Sequence, residues 1–105
     1  MRETGIKSVK ETGIRPIVIE EIRNFARKNG IKKVVLFGSR ARGDHWRASD
    51  IDLAVWSGDI QNFAFDVDEK TSTLLKYDAI DMDKGVQEEL QKSIDREGIV
   101  IYEEV

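Results

Sequence analysis

The feature that most constrains the fold is a pair of strand patterns separated by a glycine- and arginine-rich loop. Residues 31–37 form a β-branched apolar run, which is typical of a strand covered on both faces. Residues 50–56 alternate instead, so that apolar side chains fall on one face and Asp50 and Asp52 fall on the other. The first strand therefore needs a layer on each side, and the second has one packing face and one face that begins with two carboxylates.

Apolar residues at helical spacing predict three helices around these strands. The predicted elements, in chain order, are a helix from Pro16 that stops at Asn29-Gly30, strands over 31–37 and 50–56, a helix over about 60–75, a strand over 77–82, a helix carrying Val86, Leu90 and Ile94 that stops at Gly98, and a strand over 99–102. The order α-β-β-α-β-α-β predicts an α/β (α+β) fold, with a small mixed sheet of about four strands and helices packed on it.

A chain of 105 residues has room for one hydrophobic core. The tetrad Glu-Thr-Gly-Ile occurs at residues 3–6 and again at residues 11–14, and two copies are too few for a repeat architecture. We therefore expect residues 1–13 to be a frayed or locally turned leader and residues 14–105 to form a single domain.

Composition excludes several classes of site. The chain has no cysteine and one histidine, which excludes disulfides, thiolate nucleophiles and multi-histidine metal sites, so any metal must be held by oxygen. The longest apolar run, residues 34–37, is far short of the roughly 20 residues that cross a bilayer, and no signal peptide opens the chain. We expect a soluble, cytoplasmic protein without membrane contact. The net charge of −3 argues against direct nucleic-acid binding.

The loop after the first strand has the chemistry of a phosphate site. Gly38 at the mouth of a central strand lets a phosphate approach the backbone, and a helical turn starting at Ser39 would aim free N–H groups at it. Arg40 and Arg42 add positive charge. The glycine spacing of residues 38–43 matches that of a P-loop, but the next residues are Asp-His rather than Lys and Ser/Thr, so that motif fails.

Three aspartates lie where they can share a cation. Asp50 and Asp52 fall on the same face of one strand, about 6–7 Å apart along it, and Asp78 begins the next predicted strand. Three such carboxylates suit two Mg²⁺ ions separated by about 4 Å, an arrangement for in-line displacement at phosphorus. A solvated strand face is the alternative. Asp81 is the other candidate for the third carboxylate, but in a regular strand its side chain would point to the face opposite that of Asp78.

These residues also resemble a known family. The strings Leu-Phe-Gly-Ser-Arg-Ala-Arg-Gly-Asp at residues 36–44 and Ser-Asp-Ile-Asp-Leu-Ala at 49–54 resemble the signature of the DNA polymerase beta-like nucleotidyltransferase superfamily, in particular its minimal nucleotidyltransferase (MNT) branch. Residues 77–81 resemble the third-carboxylate strand of that branch, and residues 94–102 resemble its usual ending. The resemblance covers about residues 14–103.

The resemblance implies an enzyme that transfers a nucleoside monophosphate, AMP in particular, from ATP or another NTP with Mg²⁺, releasing pyrophosphate. By position, Asp50 and Asp52 would hold two metal ions, and Asp78 would help to hold them and position or deprotonate the attacking hydroxyl. Gly38 and Ser39 would bind the triphosphate, assisted by Arg40. For Arg42, two interpretations remain open: a contact with phosphate and a solvated position in the loop.

The resemblance further implies a partner. Small members of the branch are often paired with a helical HEPN-type protein as antitoxin and toxin, and the nucleotidyltransferase adds AMP to a tyrosine of that partner. A hetero-oligomer with the partner, or a homodimer, would complete the acceptor site. Two alternatives remain open: transfer to a small molecule such as an aminoglycoside, and a non-catalytic antitoxin that acts by complex formation.

Overall fold

The computed structural model describes residues 9–104, which form one sheet with helices on both faces. The elements, in chain order, are a 3-10 helix (Val9–Thr12), α1 (Pro16–Lys28), β1 (Lys33–Phe37), α2 (Ser39–Arg42), β2 (Ile51–Trp56), α3 (Ile60–Lys70), β3 (Tyr77–Asp81), a second 3-10 helix (Met82–Lys84), α4 (Glu88–Glu97) and β4 (Ile99–Glu103). The predicted fold class and the order of the major elements are confirmed.

The four strands form a mixed sheet in the order β3-β2-β1-β4. β1 pairs antiparallel with both β2 and β4, whereas β2 and β3 are parallel. The end of β1 and the starts of β2 and β3 consequently meet at one edge of the sheet. This edge is where the loop after β1 and the predicted carboxylates come together.

The sheet separates two hydrophobic clusters. Val34 and Leu36 of β1 pack in the cluster that also contains the buried residues of α1 and α3. Val35 and Phe37 pack on the opposite face with Ile94 of α4. Strand β1 is therefore covered on both faces, as its apolar run predicts, and the aspartate face of β2 is the face that carries α4.

The predicted second helix is too long, because α3 ends before Thr71 rather than at Leu75. Thr71 is extended (φ −91°, ψ 160°), and its hydroxyl donates to the Val67 carbonyl at 2.7 Å. The Glu21 carboxylate of α1 then accepts from the Ser72 amide at 2.7 Å and from the Ser72 hydroxyl at 2.6 Å. This connection to α1 turns the chain out of the helix and leads it into β3.

The leader lies partly outside the described residues. Its described part is locally turned, since Val9–Thr12 is a 3-10 helix. The side chain of Thr12 is fully buried, and its carbonyl oxygen accepts a hydrogen bond from Arg40 at 2.8 Å. The end of the leader is thus packed against the domain.

Among the helices of residues 9–104, none has the length and apolar character needed to span a membrane.

A buried carboxylate joins α1 to α3. The side chain of Asp66 is 1% exposed and accepts from Asn29 Nδ2 at 3.0 Å, from Lys28 Nζ at 3.2 Å and from Lys70 Nζ at 3.1 Å. The hydrogen bond from Asn29 is the largest cause of a pKa lowered to about 2, and the two lysines contribute further. The ionised form of Asp66 is therefore the one that stabilises the fold.

We predict that the stability contributed by Asp66 is fully present above about pH 4 and is lost as the pH falls toward 2, because the folded chain binds this proton more weakly than the unfolded chain. Urea denaturation between pH 5 and pH 2 should show a steeper loss for the wild type than for Asp66→Asn. The exposed Asp68→Asn is the matched control and should follow the wild type. Equal slopes for wild type and Asp66→Asn would contradict the prediction.

Candidate functional site

Strand register brings two of the predicted aspartates side by side. Asp52 of β2 is paired with Asp78 of β3 across the parallel ladder and with Phe37 of β1 on its other side. Neighbouring strands lie about 4.8 Å apart, and residues in register point to the same face. Asp50 lies two residues before Asp52, just ahead of β2. Asp52 and Asp78 therefore lie side by side where β1 ends, and Asp50 is two residues from Asp52 along the chain; we call this part of the sheet the carboxylate edge.

Gly38 is the residue that permits this close arrangement. It follows β1 with φ +79°, a conformation that side chains disfavour. A Cβ at this position would lie 2.2 Å from Asp52 Oδ2, which is an impossible contact. The loop after β1 can pass over the Asp52 carboxylate only because residue 38 has no side chain.

The Asp52 carboxylate is in an unfavourable environment for its charge. Burial is the largest cause that raises its pKa to about 6, and the neighbouring carboxylates of Asp78 and Asp50 add to the effect. The guanidinium of Arg42 acts in the opposite direction but does not compensate. The site thus carries negative charge that the surrounding protein leaves unbalanced.

The donor set fits a hard divalent cation in its chemistry. Asp50 and Asp52 supply oxygens, and the raised pKa of Asp52 is the mark of a carboxylate that a cation would stabilise. No group of three His, Asp or Glu side chains within residues 9–104 is already gathered closely enough to form a complete metal centre. Asp52 of β2 and Asp50 just ahead of it are the residues that would hold a metal ion, with Asp78 next to Asp52 in the sheet.

Asp81, the alternative third carboxylate, lies elsewhere. It ends β3 in register with Val55, whose side chain packs in the cluster below α1 and α3. Its carboxylate accepts from the Asp83 amide at 3.0 Å and caps the second 3-10 helix. The structure places Asp78, and not Asp81, beside Asp52.

The predicted helix after Gly38 is a single turn. α2 spans only Ser39–Arg42, and the amides of Ala41 and Arg42 both donate to the Gly38 carbonyl. So short a helix has little macrodipole to offer an anion. Gly38 and Ser39 themselves are partly exposed at the carboxylate edge.

Arg40 does not lie where a triphosphate ligand was predicted. The residue is 2% exposed, and its guanidinium donates to three backbone carbonyls, those of Ser49 at 2.9 Å, Thr12 at 2.8 Å and Arg47 at 3.0 Å. A guanidinium occupied in this way supports the loop before β2 from inside the protein. The prediction that Arg40 assists phosphate binding is corrected: its role in this structure is to hold the loop.

Glu97 is a residue that sequence reasoning missed. It ends α4, and its Oε2 accepts from the Gly38 amide at 3.1 Å and from Arg42 Nη1 at 3.0 Å. Arg42 also pairs with Asp44 at 3.1 Å. Glu97 is 59 residues from Gly38 along the chain, and its place at the end of α4 is the one sequence signal that points to this contact.

Two adjoining grooves of about 720 Å³ and 710 Å³ border the loop before β2. Their shared lining includes Arg15, Arg47 and Leu75. Two large apolar side chains on their walls are exposed, Trp46 at 70% and Leu74 fully. Trp46 precedes Asp50 by four residues and Leu74 precedes Asp78 by four, so both lie on loops that lead into the carboxylate edge.

A known family matches most of the chain. The sequence model of the family described as "Polymerase beta, Nucleotidyltransferase" matches residues 20–105. The chain therefore belongs to the polymerase beta nucleotidyltransferase family, and the predicted superfamily is confirmed.

Individual relatives agree with this membership. A Methanocaldococcus jannaschii protein named as a candidate protein adenylyltransferase is 48% identical over 50 residues, which is 48% of this chain and 48% of that protein. The matched stretch thus spans about half the length of the curated relative.

Solved structures show the same fold. A toxin–antitoxin complex with AMP-PNP is similar with a TM-score of 0.64 and 23% identity, covering 82% of this chain and 73% of that chain. A variant of the MntA-HpeT toxin–antitoxin is similar with a TM-score of 0.63 and 21% identity over the same shares. The predicted polymerase beta-like fold is confirmed by these neighbours.

We predict that Asp52→Asn raises the free energy of unfolding by about 1–2 kcal/mol near pH 8, less than the full pKa difference implies because the carboxylate is partly solvated. The folded chain binds the Asp52 proton more tightly than the unfolded chain, so wild-type stability falls as the pH rises from about 4 through 6. Denaturation in EDTA should therefore show the two chains converging below about pH 4. A constant difference across pH would contradict the raised pKa, and Asp68→Asn is the control.

We predict that Arg40→Lys lowers the free energy of unfolding by about 2–4 kcal/mol, because an ammonium cannot reach three carbonyls held by a planar guanidinium. Arg42→Lys is the matched control, and a half-exposed ion pair should cost less than about 1 kcal/mol. Chemical denaturation measures both. Similar losses in the two variants would show that the buried contacts of Arg40 do not hold the loop.

Proposed function

We propose that the chain is a Mg²⁺-dependent nucleotidyltransferase that transfers AMP from ATP to a hydroxyl of a partner protein, most simply a tyrosine of a HEPN-type toxin. The observation that carries the proposal is the pairing of Asp52 with Asp78 beside the bare backbone of Gly38, with the charge of Asp50 also acting on Asp52. Bound magnesium would offset charge on the α-phosphate and on the leaving pyrophosphate. Family membership and the name of the relative support the reaction class.

The residues of this chain divide the work by position. Gly38 and Ser39 are partly exposed directly after β1, where the backbone of Gly38 and the hydroxyl of Ser39 would contact a triphosphate, and Asp50 and Asp52 would hold the cation that accompanies it. Asp78, which is exposed at the start of β3, would accept the proton of the attacking hydroxyl as its oxygen bonds to the α-phosphorus. The bond between the α-phosphorus and the bridging oxygen would break, and pyrophosphate would leave.

A protein acceptor fits the surroundings of the site. The exposed Trp46 and Leu74 lie on the two loops that lead to Asp50 and Asp78, and exposed large apolar side chains are typical of contact surfaces. A partner that contacts these loops would lie beside the two segments that lead to Asp50 and Asp78. Hetero-oligomer formation with the partner, rather than a homodimer, is accordingly the assembly we propose.

The decisive assay uses ATP labelled at the α-phosphate with Mg²⁺, in the presence and absence of the product of the neighbouring gene. We expect label on that protein, and Asp50→Asn should reduce labelling by about 100-fold or more, because preorganised charge at the reacting phosphate is lost. Asp81→Asn is the matched control, since it makes the same change on the same edge strand as Asp78 but away from Asp52. Circular dichroism verifies that both variants are folded.

Other outcomes select the alternatives. Tight binding to the neighbouring protein without label would favour an antitoxin that acts by complex formation, and label on an added aminoglycoside would favour a small-molecule acceptor. Loss of labelling in Asp81→Asn but not in Asp78→Asn would overturn the assignment of the third carboxylate.

A further inference from the structure

Two hydrogen-bond donors beside the carboxylate edge are already occupied by an acid of the protein itself. The backbone N–H of Gly38 and Nη1 of Arg42 both donate to Glu97 Oε2, at 3.1 Å and 3.0 Å. The Glu97 side chain is 11% exposed, so this oxygen is largely shielded from water. A backbone amide and a guanidinium converging on one anionic oxygen form the donor pattern of a phosphate-binding site. We call these two donors the anion seat.

A nucleotide phosphate and Glu97 cannot use the anion seat together. The Gly38 amide has a single hydrogen, and an additional anion beside the carboxylate would be repelled at short range. Gly38 is already flanked by Asp52 on its other side, since its missing Cβ would meet Asp52 Oδ2. A phosphate that reaches the Gly38 amide therefore has to replace the Glu97 carboxylate.

The replacement needs only side-chain rotation. The backbone after Glu97 is tightly packed, because a Cβ on Gly98 would lie 2.5 Å from both the Ile94 carbonyl oxygen and Val35 Cγ1. The end of α4 is consequently held against β1. The glutamate side chain, with three rotatable bonds, can swing away from the seat without moving the helix.

We propose that Glu97 is an internal occupant of the phosphate site, which holds the anion seat closed in the nucleotide-free protein and is displaced by a phosphate group of the incoming nucleotide. This inference rests on the proposed function, because it concerns the same nucleotide site. Glu97 acts through Gly38 and Arg42. Only molecules in which Glu97 has left the anion seat can bind the triphosphate there, so the apparent affinity is reduced in proportion to the fraction of molecules in which the seat is filled.

The test compares Glu97→Gln with Glu89→Gln, which removes the same charge from an exposed position of the same helix. Isothermal titration with AMP-PNP and, separately, with inorganic tripolyphosphate, both with Mg²⁺, gives the dissociation constants. The glutamine keeps an acceptor for the Gly38 amide but binds Arg42 weakly. We expect Glu97→Gln to lower both dissociation constants by about tenfold, because this is the factor that applies if the anion seat is open in about a tenth of the free wild-type molecules. Glu89→Gln should bind both probes as the wild type does.

The outcomes separate the two proposals. AMP-PNP binding that is unchanged or weaker in Glu97→Gln overturns the displacement while the nucleotide function stands. Tripolyphosphate binding that tightens in Glu97→Gln, with no binding of AMP-PNP, supports the displacement and contradicts the nucleotide function. If neither AMP-PNP nor tripolyphosphate binds to the wild type or to Glu97→Gln, both proposals are contradicted.

A second measurement uses the wild-type chain, so it does not depend on a variant. Phe37-Gly38 is the only Phe-Gly pair in the sequence, so carbonyl-¹³C phenylalanine with ¹⁵N glycine selects the Gly38 amide in an NMR spectrum. Tripolyphosphate with Mg²⁺ should shift that resonance as phosphate replaces carboxylate. An unchanged Gly38 resonance at saturating tripolyphosphate would overturn the proposal.

Discussion

The rest of the site depends on the buried guanidinium of Arg40. It joins the end of the leader at Thr12 to the loop before β2 at Arg47 and Ser49, through three backbone carbonyls. Burial lowers the pKa of Arg40 from its ordinary value and the carboxylate of Asp50 opposes that effect. A charge taken out of water is tolerated only when its donors are paired, and here the pairing fixes the residue that immediately precedes Asp50. The position of the first carboxylate thus follows from a contact made on the inner side of the loop.

The carboxylate edge is the opposite case, because there the charges are left without adequate compensation. Asp52 is paired in register with Asp78, lies close to Asp50, and is covered by the turn at Gly38. Protein folds avoid such repulsion unless something outside the chain relieves it, and a raised carboxylate pKa in a cleft is therefore evidence of function. Under the proposed function, a cation bound at Asp52 would recover the stability that the fold gives up there.

Local patterns predicted the sheet and the aspartates well because both depend on periodicity over a few residues. The two-sided run of β1, the alternation of β2 and the parity of Asp78 needed no tertiary information. The end of α3 needed it, because Thr71 and Ser72 leave the helix through contacts with Tyr77 and Glu21. The role of Arg40 could not be predicted either, because the sequence does not show whether an arginine in a phosphate-type loop points outward or inward. Glu97 was missed because 59 residues separate it from the amide that it binds.

The charges around the glycine turn impose one condition on any nucleotide that binds there. Gly38 lies between Asp52 and Glu97, while Arg42, the nearby guanidinium, already faces Glu97 and Asp44. A bare triphosphate would meet carboxylates on both sides of the turn, and its negative charge would be repelled before the seat could be used. Under the proposed function, a triphosphate that arrives with a divalent cation would present less charge to Asp50 and Asp52 and would offer oxygens to Arg42 as Glu97 leaves. Binding of the cation beside Asp50 and Asp52 and opening of the anion seat would then act together, because each would lower the repulsion that the triphosphate meets.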